Sequence, residues 1–431
     1  MKNFKDSGIE WLGEIPEHWE VIKLKYLFYI SKEENYENFP NVLSLTQNGI
    51  FERDITTNEG QLAQSYLGYN IVKINDIIFN PMDLLSGYVA KSNFDGVISQ
   101  AYIKIRQLEN LNLSYYEKLF QNWYHYKILW HLGKGVFYYS RWTLGNETLL
   151  NIKIPLPPLK EQEQIAKFLD EKCEKIANFI EKKEKLINLL KEQKQALINE
   201  TITKGLDKNV NFKDSGIEWL GEIPQHWEVK KLKMLFVLGN GLNITKADFV
   251  SYGIPCVSYD EIHSKYPCRL NTTIHTLPFV SKTHLVDKPQ SLLQKGDFVF
   301  ADTSEDIEGS GNFTSIQSDT PIFAGYHTII LKSKGKINFL YFSFLFDSIF
   351  TRNQIRKEVC GVKVFSITKS ILKEVQRLIP PLKEQEQIAN FLDEKCKKID
   401  LLIEKTEKQI KLIKEYKTIL INQAVCGRID L

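Results

Sequence analysis

No apolar run among the 431 residues approaches the ~18 that a membrane-crossing helix needs, so nothing in the sequence reads as a bilayer span. The opening MKNFKDSGIEW has no apolar stretch behind its lysines and does not read as a secretory signal. Cys173, Cys256, Cys268, Cys360, Cys396 and Cys426 are scattered without a CxxC pair. That argues against a disulfide framework and points to the reducing cytoplasm. Neither sign of charge is in excess. Fifty-six Lys+Arg against 53 Asp+Glu leave a net +3, so any DNA-facing surface must be a local patch. A composition of 43% hydrophobic and 25% charged residues excludes a disordered or fibrous chain. The length calls for two or three domains.

Catalytic signatures are missing as well. There is no Walker A lysine loop, hence no sign of ATP-driven translocation. Asn80-Pro81-Met82-Asp83 falls short of an adenine-methyltransferase tetrapeptide, lacking the second proline and the aromatic residue. Gly239-Asn240-Gly241 stands beside no clear strand–helix unit. The Asp-Glu-Lys runs at 170–172 and 393–395 fall on charged helix faces rather than in a nuclease site. Cys256, His263, Cys268 and His275 do not have a standard zinc spacing. The expectation is a chain that is not an enzyme, with no catalytic residue, metal or cofactor of its own.

What is present is a repeat. Asn3–Phe28 reads NFKDSGIEWLGEIPEHWEVIKLKYLF, and Asn211–Phe236 repeats it with three differences, Glu17/Gln225, Ile22/Lys230 and Tyr26/Met234. A second block, PPLKEQEQIA, opens at Pro157 and again at Pro380. The segments between these blocks differ in the two halves. One frame is therefore used twice around two different inserts. His18 and His226 fall in the repeated block, which suggests a duplicated structural role.

The second block predicts long helices. Each starts just past prolines and runs without Pro or Gly to Gly205 or Gly427, where glycine favours a helix stop. A heptad-like stripe joins Ile165, Leu169, Ile176, Ile180, Ile187, Leu190 and Leu197. Its counterpart is Ile388, Leu392, Ile399, Ile403, Ile410, Ile413 and Leu420. The expected fold is mixed α+β: two pseudo-symmetric globular domains joined by two long helices forming an antiparallel coiled coil. The expected boundaries are 1–156 for the first domain, 157–206 for the central helix, 207–379 for the second domain and 380–431 for the C-terminal helix. With the matched stripe ending at Leu197, residues 198–204 read as free of core contacts.

The inserts read as strands followed by an aromatic-rich helix. The strand runs are 70–79, 97–106, 295–301 and 324–331. The helices are Ser114–Leu132 and Asn338–Arg356, whose aromatics fall at helical spacing and read as core. A Gly-containing polar loop follows each helix. Residues 352–377 hold seven basic residues against two acidic. Lys134, Tyr138 and Arg141 in the first copy, and Arg352, Arg356, Lys357 and Lys363 in the second, are the candidates for DNA contact. The plain alternative is a solvated helix end.

The two GEIP-x-HWE blocks (Gly13–Glu20, Gly221–Glu228), the two PPLKEQEQIA helix openings, Asn80-Pro81-Met82, Ile98–Ile105, Gly296–Ala301, Thr303–Asp306 and Gly325–Ile329 carry a resemblance. Together they resemble the specificity subunit of Type I restriction–modification enzymes over essentially the whole chain. One departure is LIPPL before the second long helix against IPLPPL before the first.

The resemblance implies two target recognition domains, each reading half of a bipartite, asymmetric double-stranded DNA site. It also implies a rod that sets the spacer between half-sites and docking of two modification subunits. Those subunits carry S-adenosylmethionine and methylate adenine, and motor-nuclease restriction subunits join them. The rival reading from another class is a coiled-coil tether joining two protein-binding domains without DNA readout.

Overall fold

In the computed structural model, residues 3–36, 40–56, 63–135, 142–217, 220–266, 268–359, 361 and 364–431 are described. The chain forms two compact units. The first comprises Met1–Glu184 with Glu407–Leu431, and the second Lys185–Thr406. Each unit thus contains one insert with its frame and a length of both long helices. Among the described residues no helix is long and apolar enough to cross a membrane.

In the first unit, an antiparallel sheet orders its strands Phe28–Ile30, Ile103–Gln107, Ile77–Phe79, Val89–Lys91. The aromatic helix Leu113–His125 covers one face, with Tyr115, Tyr116, Leu119, Phe120 and Trp123 fully buried. The run 70–79 is not one strand. Asn75 takes a left-handed φ of 76° and divides it into Asn70–Val72 and Ile77–Phe79. The aromatic helix also stops early, at His125. Lys127 is left-handed (φ 56°), and a short 3-10 turn Ile128–Leu132 follows. Tyr126, assigned to the core by its spacing, is consequently exposed.

In the second unit, five strands are ordered Phe236–Asn240, Thr328–Ser333, Phe298–Ala301, Phe313–Ile316, Cys268–Leu270. The last of these runs parallel to its neighbour. A second sheet of four short strands accompanies it. The region 338–356 forms two helices, Phe339–Asp347 and Ile349–Glu358, separated by the extended Ser348. Tyr341, Phe342, Phe344 and Phe346 are buried against the sheet.

The frame folds alike in both units. Glu20–Lys23 pairs antiparallel with Lys153–Leu156, and Glu228–Lys231 with Gln376–Ile379. The long helices span Leu159–Lys204 and Leu382–Val425. Both start immediately after a Pro-Pro pair, and left-handed Gly205 and Gly427 (each φ 73°) follow their ends. A Cβ on Gly427 would meet Pro16 Cδ at 2.6 Å and the Trp19 ring at 2.8 Å. Close approach as well as backbone sign therefore demands glycine there.

Within the first unit, Ile165, Leu169 and Ile176 share a core with Leu420, Ala424 and Val425, with Ile180 and Ile413 at its margin. Within the second, Ile198, Ile202 and the partly buried Leu197 share one with Ile388, Ala389, Leu392 and Cys396. In each unit the start of one long helix thus meets the end of the other, which is antiparallel pairing. Ile187, Ile399 and Ile410 are also buried, and Leu190 and Ile403 half-buried.

The end of the first stripe differs from expectation. Residues 198–204 are not free of core contacts, because Ile198, Thr201 and Ile202 are buried. From Leu190 the buried side follows fourfold steps to 198 and 202, as an α-helix of 3.6 residues per turn allows.

Candidate nucleic-acid interface

The frame fixes where each aromatic helix begins. Gln162, in the opening of the first long helix, donates to Pro157 O (2.9 Å) and accepts from Asn112 N (2.9 Å). Asn112 in turn caps the aromatic helix by accepting from Tyr115 N at 3.0 Å. The second unit repeats the chain of contacts. Gln385 donates to Pro380 O (2.9 Å) and accepts from Asn338 N (3.1 Å), and Asn338 accepts from Tyr341 N (2.9 Å). The start of each long helix therefore holds the start of the helix that backs the sheet, and the sheet presents its strand ends.

Those strand ends meet a returning loop in the same way in both units. Leu144 N donates to Pro81 O (2.9 Å) in the first, and Ile367 N to Asp302 O (2.7 Å) in the second. Around this junction the first unit has a turn in which Asp83 accepts from Leu85 N and Ser86 N. The near-miss tetrapeptide thus leads into a turn, with Met82 exposed. The second unit has an open cleft of about 740 Å³, lined by Lys246, Tyr259, His263, Thr303, Asn312 and His327 among others.

A hydrogen-bond relay stiffens one wall of the cleft. His263 Nε2 meets Thr303 O at 2.7 Å and its Nδ1 meets Asn312 Nδ2 at 2.8 Å. The carbonyl can only accept, so Nε2 carries the proton and Nδ1 accepts from the amide. Asn312 Oδ1 then accepts from Arg352 (2.9 Å), which also pairs with Asp347 (2.9 Å).

The described sequence candidates differ in what they are doing. Lys134 is exposed and its backbone pairs with Thr143. Arg352 is held by Asp347 and Asn312 within its own unit. Arg356 donates to Glu308 O and is half-buried, and burial holds its guanidinium below the usual range. Lys357 is exposed in the last turn of its helix. Tyr138, Arg141 and Lys363 lie outside the described residues.

The basic count over 352–377 overstates the positive surface. Arg377 is fully buried on a frame strand, over the Phe346 ring at 5.0 Å, and burial lowers its pKa to about 9. Residues that composition did not single out are Asp302 and His327. They lie 3.1 Å apart, Oδ1 to Nδ1, and His327 lines the cleft. His263 is spent on the relay and His275 stacks on Tyr266 at 4.3 Å. Among the described residues no group of His, Cys, Asp or Glu is arranged to hold a metal ion.

A frame used twice, holding two different strand-end surfaces, defines a two-headed recognition protein. The Type I restriction modification DNA specificity domain matches residues 16–192 and 224–412, and the chain belongs to that family. It is a DNA sequence-recognition subunit. It is similar to the Type I restriction enzyme MjaVIII specificity subunit of Methanocaldococcus jannaschii, with 28% identity over 99% of this chain and 96% of that one. A putative Type I restriction enzyme MjaX specificity subunit from the same organism is 27% identical over 99% and 97%.

Among solved structures, a chain from work described as "Structural basis underlying complex assembly and conformational transition of the type I R-M system" shares the fold. Its TM-score is 0.74 at 15% identity, over 96% of this chain and 99% of its own. The HsdS subunit of Thermoanaerobacter tengcongensis gives a TM-score of 0.53 at 15% identity, over 96% and 98%.

Proposed function

We propose that this chain reads a bipartite, asymmetric DNA site, one half-site per unit, and docks two modification subunits through its duplicated frame. The modification subunits hold S-adenosylmethionine and methylate adenine, and motor-nuclease restriction subunits complete the complex in the cytoplasm. The chain itself performs no chemistry, and the long helices that link its units set the unread spacer. One observation carries this reading. The contacts made by Glu161/Glu384 and Gln162/Gln385 are the same in both units, whereas the strand ends around Pro81 and Asp302 are chemically different. Identical frames suit two copies of one partner, and different strand ends suit two different half-sites.

The test is DNA retention as a function of salt, for the chain alone and for the chain with its modification subunits. The complex is expected to hold a specific duplex tightly, with affinity falling steeply as salt rises. The chain alone should bind weakly. Methyl transfer by the purified chain supplied with S-adenosylmethionine would overturn the division of labour.

A further inference from the structure

Strand register puts one position of the first unit in correspondence with one of the second. Phe28 and Phe236 occupy the same place in the repeated frame and pair with Gln107 and Ser333. Six residues back along those partner strands stand Ala101 and His327. On the neighbouring strand, Phe79 pairs with Ile103 and Phe300 with Ile329. Two and three residues further on come Pro81 and Met82 in the first unit, Asp302 and Thr303 in the second. The hydrogen bonds from Leu144 N to Pro81 O and from Ile367 N to Asp302 O match these positions independently.

The equivalent positions carry opposite chemistry. In the second unit Asp302 Oδ1 lies 3.1 Å from His327 Nδ1 and accepts from Thr303 Oγ1 at 2.5 Å. The imidazole side chain is 58% exposed and the carboxylate 34%. His327 takes a left-handed φ of 53°, a conformation that costs energy in a non-glycine residue and concentrates at functional sites. With Nδ1–H given to Asp302, the neutral ring offers Nε2 as an acceptor, and the carboxylate is acceptor-only. In the first unit Pro81, Met82 and Ala101 have no hydrogen-bonding side chain, and Met82 and Ala101 are exposed.

We infer that Asp302 and His327 form a base-reading element selecting a base with a major-groove amino group, adenine N6 or cytosine N4, and that Met82 with Ala101 packs on a thymine methyl in the other half-site. Acceptors select amino donors, and apolar side chains select the one methyl that the major groove presents. The inference rests on the DNA-reading function proposed above and assigns the residues and the class of base.

The test is to co-express the full chain with its modification subunits in a host lacking both and map methylated adenines. Wild type, Asp302→Asn, His327→Asn and Met82→Gln are compared, each with its thermal melt. Asparagine at 327 tolerates the left-handed backbone. Both second-unit variants are expected to lose roughly 10- to 100-fold discrimination at one and the same base pair of one half-site. Met82→Gln should relax one pair of the other half-site, and the spacer should not move.

If all three folded variants keep the wild-type motif, the inference is overturned while the proposed function stands. Uniformly weaker methylation with unchanged sequence preference also overturns it, since that marks a phosphate or positioning role. If the wild type itself yields no bipartite motif, the proposed function fails first. Two independent second-unit substitutions keep the test decisive if one of them fails to melt like the wild type.

Discussion

Trp19 donates its indole N–H to Glu161 at 3.0 Å across 142 residues of chain. Trp227 does the same to Glu384 at 3.1 Å. The other oxygen of each carboxylate takes the neighbouring imidazole, His18 at 2.6 Å and His226 at 2.7 Å. Both tryptophans are completely buried. The repeated histidines are thus part of a lock that fastens each long helix to the turn preceding its frame strand.

Removing the lock should therefore destabilise one unit. Glu161→Ala leaves the Trp19 indole in the core without an acceptor, a penalty of about 1–3 kcal/mol. Glu161→Gln keeps a carbonyl acceptor and should cost less. Denaturant unfolding followed by tryptophan fluorescence reads both. A Glu161→Ala midpoint equal to wild type would contradict the lock.

Arg352 and Lys357 should separate by phenotype. Arg352→Ala breaks the contacts with Asp347 and Asn312, so it should lower the melting temperature. Lys357 is exposed, and Lys357→Ala should leave the melt unchanged. It should weaken DNA binding by the complex evenly across sequences and reduce the salt slope by about one phosphate contact. Unchanged affinity and slope for Lys357→Ala would remove it from the interface.

Glu374 gives a pH signature. Hydrogen bonds from Lys231 and then Lys233, each at 2.6 Å, hold its carboxyl down to about 2 from an ordinary 4.5. As pH falls the unfolded chain takes up this proton first. The stabilising contribution is therefore complete above 4.5, declines between 4.5 and about 2, and is lost below that. The group is on the surface, so salt screens the effect. Glu374→Gln should flatten melting temperature against pH in that window. A carboxyl titration midpoint near 4.5, read by NMR, would contradict the pairing.

Lengthening the first long helix between Ile198 and Lys204 should not be harmless. Four added residues amount to ~6 Å of helix and move Thr201 and Ile202 away from a core that buries both. Emptying one isoleucine site alone costs about 2–5 kcal/mol. The expected result is a lower denaturation midpoint for the second unit. Wild-type stability would show that the buried end of the helix contributes nothing.

The duplicated frame, the two long helices and their glycine stops were legible because each leaves a contiguous sequence signature. The end of the first stripe was not. A strict heptad count leads from Leu190 to Leu197, whereas the helical pitch carries the buried side to Ile198 and Ile202. Arg377 misled for a different reason, since counting charge along the chain ignores which strand face a residue occupies. Its counterpart on the paired frame strand is the buried Ile154, and comparing the two copies at that place would have flagged it. Asp302 and His327 could not be joined by spacing, because only the register of two adjacent strands brings them together.

The most direct measurement is a genome-wide map of methylated adenines in a host that lacks the system and expresses this chain with its modification subunits. The account predicts one motif of two unlike half-sites separated by a fixed, unread spacer, and no methylation when this chain is left out. A single uninterrupted motif, two identical half-sites, or methylation independent of this chain would contradict it.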